Sequence, residues 1–376
     1  VIRPLEGLVV ADLSRVLAGP TATMMLADLG ARVIKVERPG RGDDTRHFGP
    51  PWAGSSSSYF ESANRSKQSI ALDFGDEGDL AIAHALVDRA DIVVQNYLTG
   101  ALVRFGLDEA SVRARNPRVV YASITGFGDG AGASHPGYDV LVQAVGGLMS
   151  ITGEGAPTKV GVAVVDLLAA NHLVMGVLAA VLHRERTGAG QHVQVDLLSS
   201  SIASLANQAS AYLATGVAPQ RMGNAHPSIA PYETVRCRDG HLMVAVGNDQ
   251  QWAALADLIG EQDLATDERF ATNAARVANR PALLTALETR LAGDDVAAWA
   301  DRMRGAGIPA GKVNDIAEAI ALAESLGLAP TVDVGPGNPA QVRHPVRYSA
   351  FEPAPPAAPP ALDQHRADIL RWLAEG

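Results

Sequence analysis

Asp166 is the residue whose placement most invites chemistry. It interrupts the apolar run Val162-Ala-Val-Val-Asp166-Leu-Leu-Ala-Ala170 where a strand-like or loop segment turns into a helix. A carboxylate there has two uses. As an N-cap it accepts backbone N–H bonds and meets the positive end of the helix dipole. As a nucleophile it gains basicity from burial, while the helix amides keep it ionised. Asn171 and His172 follow on other faces of the same predicted helix, where local spacing gives no Ser-His-Asp geometry, and they read as core polar residues. There is no His-Glu-x-x-His, no paired cysteine and no Asp-rich loop, so no metal is expected. Ser55–Ser58 reads as a polar loop, and no Gly-x-Ser-x-Gly elbow is present.

Two other stretches have the composition of an anion site. Between Arg32 and Lys67 lie seven basic residues (Arg32, Lys35, Arg38, Arg41, Arg46, Arg65, Lys67) and four acids (Glu37, Asp43, Asp44, Glu61), a local +3 in a chain of formal charge −10. A positive patch at strand ends suits a small phosphorylated ligand, although a solvated loop has the same composition. Gly126-Phe-Gly-Asp-Gly-Ala-Gly132 follows a predicted strand, as a phosphate loop does. It lacks the G-x-G-x-x-G spacing, a Walker lysine and a following apolar helix, and reads as a flexible loop.

The elements that must position these residues alternate. Leu8–Asp12, Arg32–Glu37, Ile70–Leu72, Asp91–Gln95 and Arg118–Ile124 read as strands, with helices over Gly19–Leu29, Asp76–Ala90 and Asp108–Arg115 between them. That is an α/β domain with a mostly parallel sheet. The chain then reads as helical from Asp166 to about Arg186, as a strand over Gln191–Asp196 and as a helix over Ser199–Thr215. Beyond about Gly223, a β segment at Gly240–Val246 and helices near Asp249–Glu261, Arg280–Ala292 and Asp294–Ala306 suggest a smaller α+β domain. Five prolines between Pro353 and Pro360 make an extended strap before a last helix, Gln364–Ala374.

Composition narrows the class. With 376 residues, 47% of them hydrophobic and 19% charged, the chain is long enough for more than one domain and is neither disordered nor a coiled coil. Its 31 Lys plus Arg against 41 Asp plus Glu have the wrong sign for a nucleic-acid binder. A single cysteine, Cys237, cannot form an internal disulfide, which makes a cytoplasmic location the expectation. The stretch Val1–Gly7 lacks the apolar segment of a secretory signal. Val162–Leu182 has the length of a membrane span but contains Asp166, Asn171 and His172, so it reads as a buried helix, and no membrane partner is expected.

Taken in order, several stretches resemble one family, the class III CoA-transferases, of which formyl-CoA transferase is the familiar member. They are Pro4–Asp12, Leu17-Ala-Gly-Pro20, Gly30–Gly40, Asn64-Arg-Ser-Lys67, Asp91–Asn96, Ser123–Gly128, Gly137-Tyr-Asp139, Gln143–Gly147, Asp166 and His183–Gln191. The resemblance covers nearly the whole chain. It implies an enzyme that moves CoA from an acyl-CoA to a free carboxylic acid, with Asp166 as the nucleophile, mixed-anhydride and aspartyl-CoA intermediates, and no permanently bound cofactor. It also implies CoA contacts at Val16, Leu17, Ala18, Arg38, Lys67, Leu72, Asn96, Tyr97 and Arg104, and places Tyr138 at the thioester. The formyl-CoA enzymes have glutamine where this chain has Leu17, and a glycine-rich loop in the small domain that is not found here. Formate and oxalate are therefore disfavoured, and a larger dicarboxylic or aliphatic acid is expected.

The same fold family contains the α-methylacyl-CoA racemases, the main alternative, which move an α-proton between a histidine and an aspartate. They have histidine where this chain has Tyr138. A tyrosine, with an ordinary pKa of about 10, is a poor base near neutrality. A catalytically silent CoA-binding protein is a further alternative, whereas a nicotinamide-dependent enzyme lacks its glycine fingerprint after Asp12. The resemblance implies a Rossmann-like large domain from 1–200 and 330–376, a small α+β domain over 225–325, linkers at 201–224 and 326–345, and an interlocked homodimer.

Overall fold

A computed structural model describes residues 2–54 and 56–375. The chain divides into two compact units: one takes in the chain up to Met149, Lys159–Val217 and everything from Gly327 onward, the other Ser150–Thr158 and Ala218–Leu326. Residues 150–158, expected in the large domain, go with the second unit.

In the first unit the order is β1 Val9–Asp12, α1 Ala18–Asp28, β2 Arg32–Glu37, α2 Ser58–Asn64, β3 Lys67–Ala71, α3 Glu77–Arg89, β4 Ile92–Gln95, α4 Glu109–Arg115, β5 Val120–Thr125, α5 Asp139–Val145, α6 Val164–Thr187, β6 His192–Asp196, α7 Leu197–Ser204 and α8 Ala206–Thr215. The six strands form one parallel sheet in the order β3-β2-β1-β4-β5-β6. Period-two alternation gives the sheet two apolar faces. Val10, Val33, Val94 and Ala122 pack with Leu26 of α1 and Leu173 and Val177 of α6. Ala11, Ile34, Val93 and Tyr121 pack with Leu86 and Val87 of α3 and Val112 of α4. Strand order reverses between β1 and β4, so the loops leaving those strands diverge into a crevice at their C-terminal ends, where doubly wound sheets bind ligands.

Some expectations are corrected. Ser55 lies outside the described residues, but Ser58 is not loop: it opens α2, with the Ser57 side chain accepting from Phe60 N. The helix expected over Ser199–Thr215 is two helices, broken where Ala206 takes φ 43°. α6 is long and apolar enough to cross a membrane by length and composition. It is buried on one stripe only, Val165, Ala169, Leu173, Val177, Ala180 and Arg184, while Met175 and Leu182 face outward.

The second unit has an antiparallel sheet of β7 Tyr232–Arg236, β8 His241–Ala245 and β9 Ala310–Lys312, with β8 central. Its helices α9 Asp249–Leu258, α10 Asn273–Ala278, α11 Arg280–Leu291 and α12 Val296–Gly305 enclose a core around Trp252, Leu283, Leu287 and Trp299, while α13 Ile316–Ser325 buries no residue. The proline-rich segment runs along the first unit: Ala354 N donates to Asp28 O, and Ser66 N to Ala357 O. It leads into α14 Arg366–Ala374, whose Ile369 is in the core beside α3.

Candidate active site

The loop after β1 is strained and held from three sides. Val16 takes φ 69°, an outlier for a β-branched residue. Asn96, in the loop after β4, clasps the preceding peptide: its Oδ1 accepts from Arg15 N at 2.8 Å and its Nδ2 donates to Arg15 O at 2.7 Å. Asp43 accepts from Val16 N at 3.2 Å, and Lys35 Nζ donates to Ser14 O at 3.0 Å. A Cβ on Gly19 would stand 2.3 Å from the Ser14 Cβ, so only glycine lets the loop fold back on the first turn of α1. The result is that Arg15, Val16, Leu17 and Ala18 form one wall of a cavity of about 290 Å³, with α1's first-turn amides beside it.

The opposite wall comes from the end of β5, the glycine run, Tyr138 and α6: Thr125, Gly126, Gly128, His135, Gly137, Tyr138 and Asp166. Gly126 and Gly137 meet backbone to backbone, a Cβ on either falling within 2.5 Å of the other's Cα. The glycine run is thus a cavity wall, not merely a flexible loop.

Asp166 is not the cap of α6. It is the third residue of that helix, whose N-cap, Ala163, makes no side-chain bond. Asp139, the first residue of α5, does the capping, its Oδ1 accepting from Val165 N at 2.8 Å and Asp166 N at 3.4 Å. The Asp166 carboxylate has no hydrogen bond or ion pair among the described residues. Burial, with the like charge of Asp139 adding to it, pushes its pKa up to about 7. Tyr59 on α2 is raised too, by burial and then by the charges of Asp166, Asp139 and Asp43, so it stays a neutral phenol near the carboxylate.

The +3 window is not an open positive patch, because the fold consumes its charges internally. Lys35 pairs with Asp43 at 2.9 Å, Arg46 with Glu37 at 2.8 Å, Arg65 with Asp28 at 2.5 Å and Lys67 with Asp12 at 3.0 Å, all buried. Lys67 is therefore corrected as a CoA contact: its fully buried ammonium donates to Asp12, Asn64 Oδ1 and Pro20 O, leaving no donor for a phosphate. Burial lowers it to about 8, still cationic at neutrality, while Lys67 and Lys35 overcome burial to hold Asp12 at about 2. Leu72 is likewise core, packed near Ile70 and Val36.

Of the other expected contacts, Val16, Leu17, Ala18, Asn96, Tyr97 and Tyr138 come together with Asp166 around the cavity. Arg38 does not line it; it pairs with Asp44, which does, at 2.5 Å. Arg104 also lies off it, its guanidinium over the Phe105 ring. Reading by motif missed Arg15, His135 and Tyr59. Arg15 adjoins the matched Leu17-Ala-Gly-Pro20 stretch and could have been found from it, whereas nothing in the spacing of Tyr59 ties it to a residue 107 positions on.

The family model described as CoA-transferase family III matches residues 5–366. The chain is 40% identical to the acetyl-CoA:oxalate CoA-transferase of Acetobacter aceti, over 99% of this chain and 96% of that one. It is also 40% identical to the succinyl-CoA:glutarate CoA-transferase of Mus musculus, over 98% and 86%. A crystal structure of a CAIB/BAIF family protein from Brucella suis superposes with a TM-score of 0.90 at 43% identity, covering 99% of this chain and all of that one.

Proposed function

This chain belongs to CoA-transferase family III, and we propose that it moves CoA between dicarboxylic acids through covalent intermediates on Asp166. The observation that carries the reading is a buried carboxylate, raised to about 7 and without a hydrogen-bond partner among the described residues, in a cavity at the sheet's switch point. An Asp166 oxygen attacks the donor thioester carbon and the C–S bond breaks, giving a mixed anhydride and CoA thiolate. The thiolate attacks Cγ of Asp166, expelling the donor carboxylate and leaving an aspartyl-CoA thioester. The acceptor carboxylate then attacks that Cγ, and the released thiolate takes the acceptor acyl group, regenerating Asp166. No proton is gained or lost, and every intermediate remains an activated acyl group.

The first-turn amides of α1, beside Leu17 and Ala18, suit the oxyanions formed at these carbons. Leu17, Ile124 and Leu197 keep the wall apolar, which protects the anhydride from water. Each relative described above has a diacid in its name, oxalate beside acetyl-CoA in one and glutarate beside succinyl-CoA in the other. Leu17 favours the longer one. CoA binds as a substrate, Arg38 and Arg104 remaining for its phosphates, in a cytoplasmic homodimer; the outward apolar face of α6 suits a second copy. Light scattering at micromolar concentration checks the dimer, and a monomer would sink it.

The experiment is intact-mass measurement after incubation with succinyl-, glutaryl-, oxalyl-, acetyl- and butyryl-CoA plus hydroxylamine. A hydroxamate mapped to Asp166, absent from Asp166→Ala, is expected to form fastest with the diacid thioesters and more slowly with the monoacid ones. His135 in the same cavity favours a second reading, the α-proton exchange of a racemase. Deuterium uptake from heavy water into an α-methylacyl-CoA, with no hydroxamate, would select it.

A further inference from the structure

The cavity holds one arginine, Arg15, and the fold has prepared it without giving it an anion. Its backbone is fixed at both N and O by Asn96. Its guanidinium lies over the Tyr97 ring, 4.5 Å from the centroid. No carboxylate or carbonyl among the described residues accepts from that side chain. The contrast with the surrounding cations is strong: Lys35, Arg46, Arg65 and Lys67 are each buried against an acid, and Arg38 and Arg41 share Asp44. In a chain of net charge −10, Arg15 thus lines a ligand cavity with no anion on its guanidinium among the described residues.

Resting on the proposed transfer between diacids, we infer that Arg15 is the specificity-determining residue that receives the distal carboxylate of the acyl group, the one not undergoing transfer. The fork of two N–H donors matches a carboxylate edge to edge. Arg15 and the nucleophile Asp166 line one cavity, with Leu17 between them in sequence and on the wall, so a short methylene chain has an apolar surface to cross. The same cavity carries Asp44 and Asp166, whose negative charges oppose a free diacid unless a cation compensates. Arg15 supplies that cation. A phosphate of CoA is the other oxyanion that the same fork would take.

The test compares succinyl-CoA with butyryl-CoA, which share CoA and carbon number and differ in the distal carboxylate. For Arg15→Gln, the second-order rate constant for hydroxamate formation at Asp166 with succinyl-CoA should fall roughly 10- to 100-fold while that with butyryl-CoA changes less than about threefold; Arg15→Lys should recover part of the loss. Equal losses on both donors would show that Arg15 holds a CoA phosphate, and no loss on either would show that it binds nothing; both overturn the inference. Calorimetric titration of free glutarate and free pentanoate into the wild type and Arg15→Gln reads the same contact without turnover. A wild type that does not prefer glutarate overturns it as well. Absence of any hydroxamate at Asp166 would instead count against the covalent mechanism. Unchanged circular dichroism and melting of Arg15→Gln establish that the fold is intact.

Discussion

Asp12 and Asp166 are both aspartates withdrawn from water within one α/β unit, and they end at opposite ends of the acid scale. Burial pushes both pKa values up. At Asp12 it is overcome by Lys67 and Lys35 and by hydrogen bonds from Ser14 and Thr23, and the carboxyl sits at about 2. At Asp166 nothing opposes burial and Asp139 adds a like charge, so the carboxyl sits at about 7. Burial alone therefore does not say what an acid is for; the partners do. The satisfied carboxylate anchors a scaffold: Asp12 holds Lys67, and the same buried network, through Lys35 and Asp43, fixes the loop at Ser14 and Val16. The unsatisfied one keeps its lone pairs free of any partner among the described residues, as the proposed nucleophile needs.

The comparison is broken most forcefully on the scaffold side. Asp12→Asn leaves Lys67 and Lys35 buried with less counter-charge, and removing one member of such a group costs about 3–5 kcal/mol. Urea unfolding at pH 7 should show that loss as a lower midpoint with an unchanged slope. A cost under about 1 kcal/mol would mean that the cations reach water and that the cluster does not hold the loop. The acid dependence has a definite sign. The folded-state value of Asp12, about 2, lies below its ordinary 3.8, so its contribution is present above about pH 4 and is lost as pH falls through 2. The wild type should therefore lose part of its advantage over Asp12→Asn between pH 4 and 2.

The same contrast explains what was legible in the sequence. The parallel α/β unit was, because Val10, Val33, Ile92, Val94 and Val120 belong to short apolar runs separated by helical periods, a local pattern. Strand β2 falls on Arg32–Glu37 as expected. Asp166 stood out because an acid in an apolar run is anomalous wherever it lies. The charged cluster misled, since a count of basic residues from Arg32 to Lys67 says nothing about the acids that tertiary contact brings to them. Asp12 is 55 positions from Lys67, and Asp28 is 37 from Arg65. Asp139 was visible as part of a motif, yet its role as the cap of α6 depends on a contact across 26 residues that no local spacing encodes. Helix α13, Ile316–Ser325, passed unread although Asp315 and Glu318 form a capping box at its start.

Stability sharpens the comparison from the other side, with a smaller expected effect. The folded-state value of Asp166, about 7, lies above its ordinary 3.8. The folded protein therefore binds this proton more tightly than the unfolded chain, so the stabilising contribution is full below about pH 4 and is lost as pH rises through 7. Above pH 7 the ionised carboxylate is a burden of at most about 4 kcal/mol. Asp166→Asn, which on the proposed mechanism forms no hydroxamate, should unfold at higher urea than the wild type at pH 8 and lose that advantage at pH 4. Equal stability at pH 8 would mean that solvent or ligand-side water already neutralises the cost, and the contrast with Asp12 would collapse.

The smallest effect separates the two causes that raise Asp166. Asp139→Asn removes the like charge but keeps a side-chain oxygen able to accept from Val165 N, so the cap on α6 survives. The rising limb of kcat/KM with pH, which on the proposed mechanism reports ionisation of Asp166 in the free enzyme, should move to lower pH. Because burial is the larger cause, it should stay well above the ordinary carboxylate range. Asp139→Ala should show the same displacement plus a loss of about 1 kcal/mol from the missing cap. A limb that does not move in Asp139→Asn would show that burial alone sets the basicity of Asp166, and Asp139 would then be a cap and nothing more. A limb that drops to the ordinary range would show the reverse, that the neighbouring charge and not burial makes the difference from Asp12.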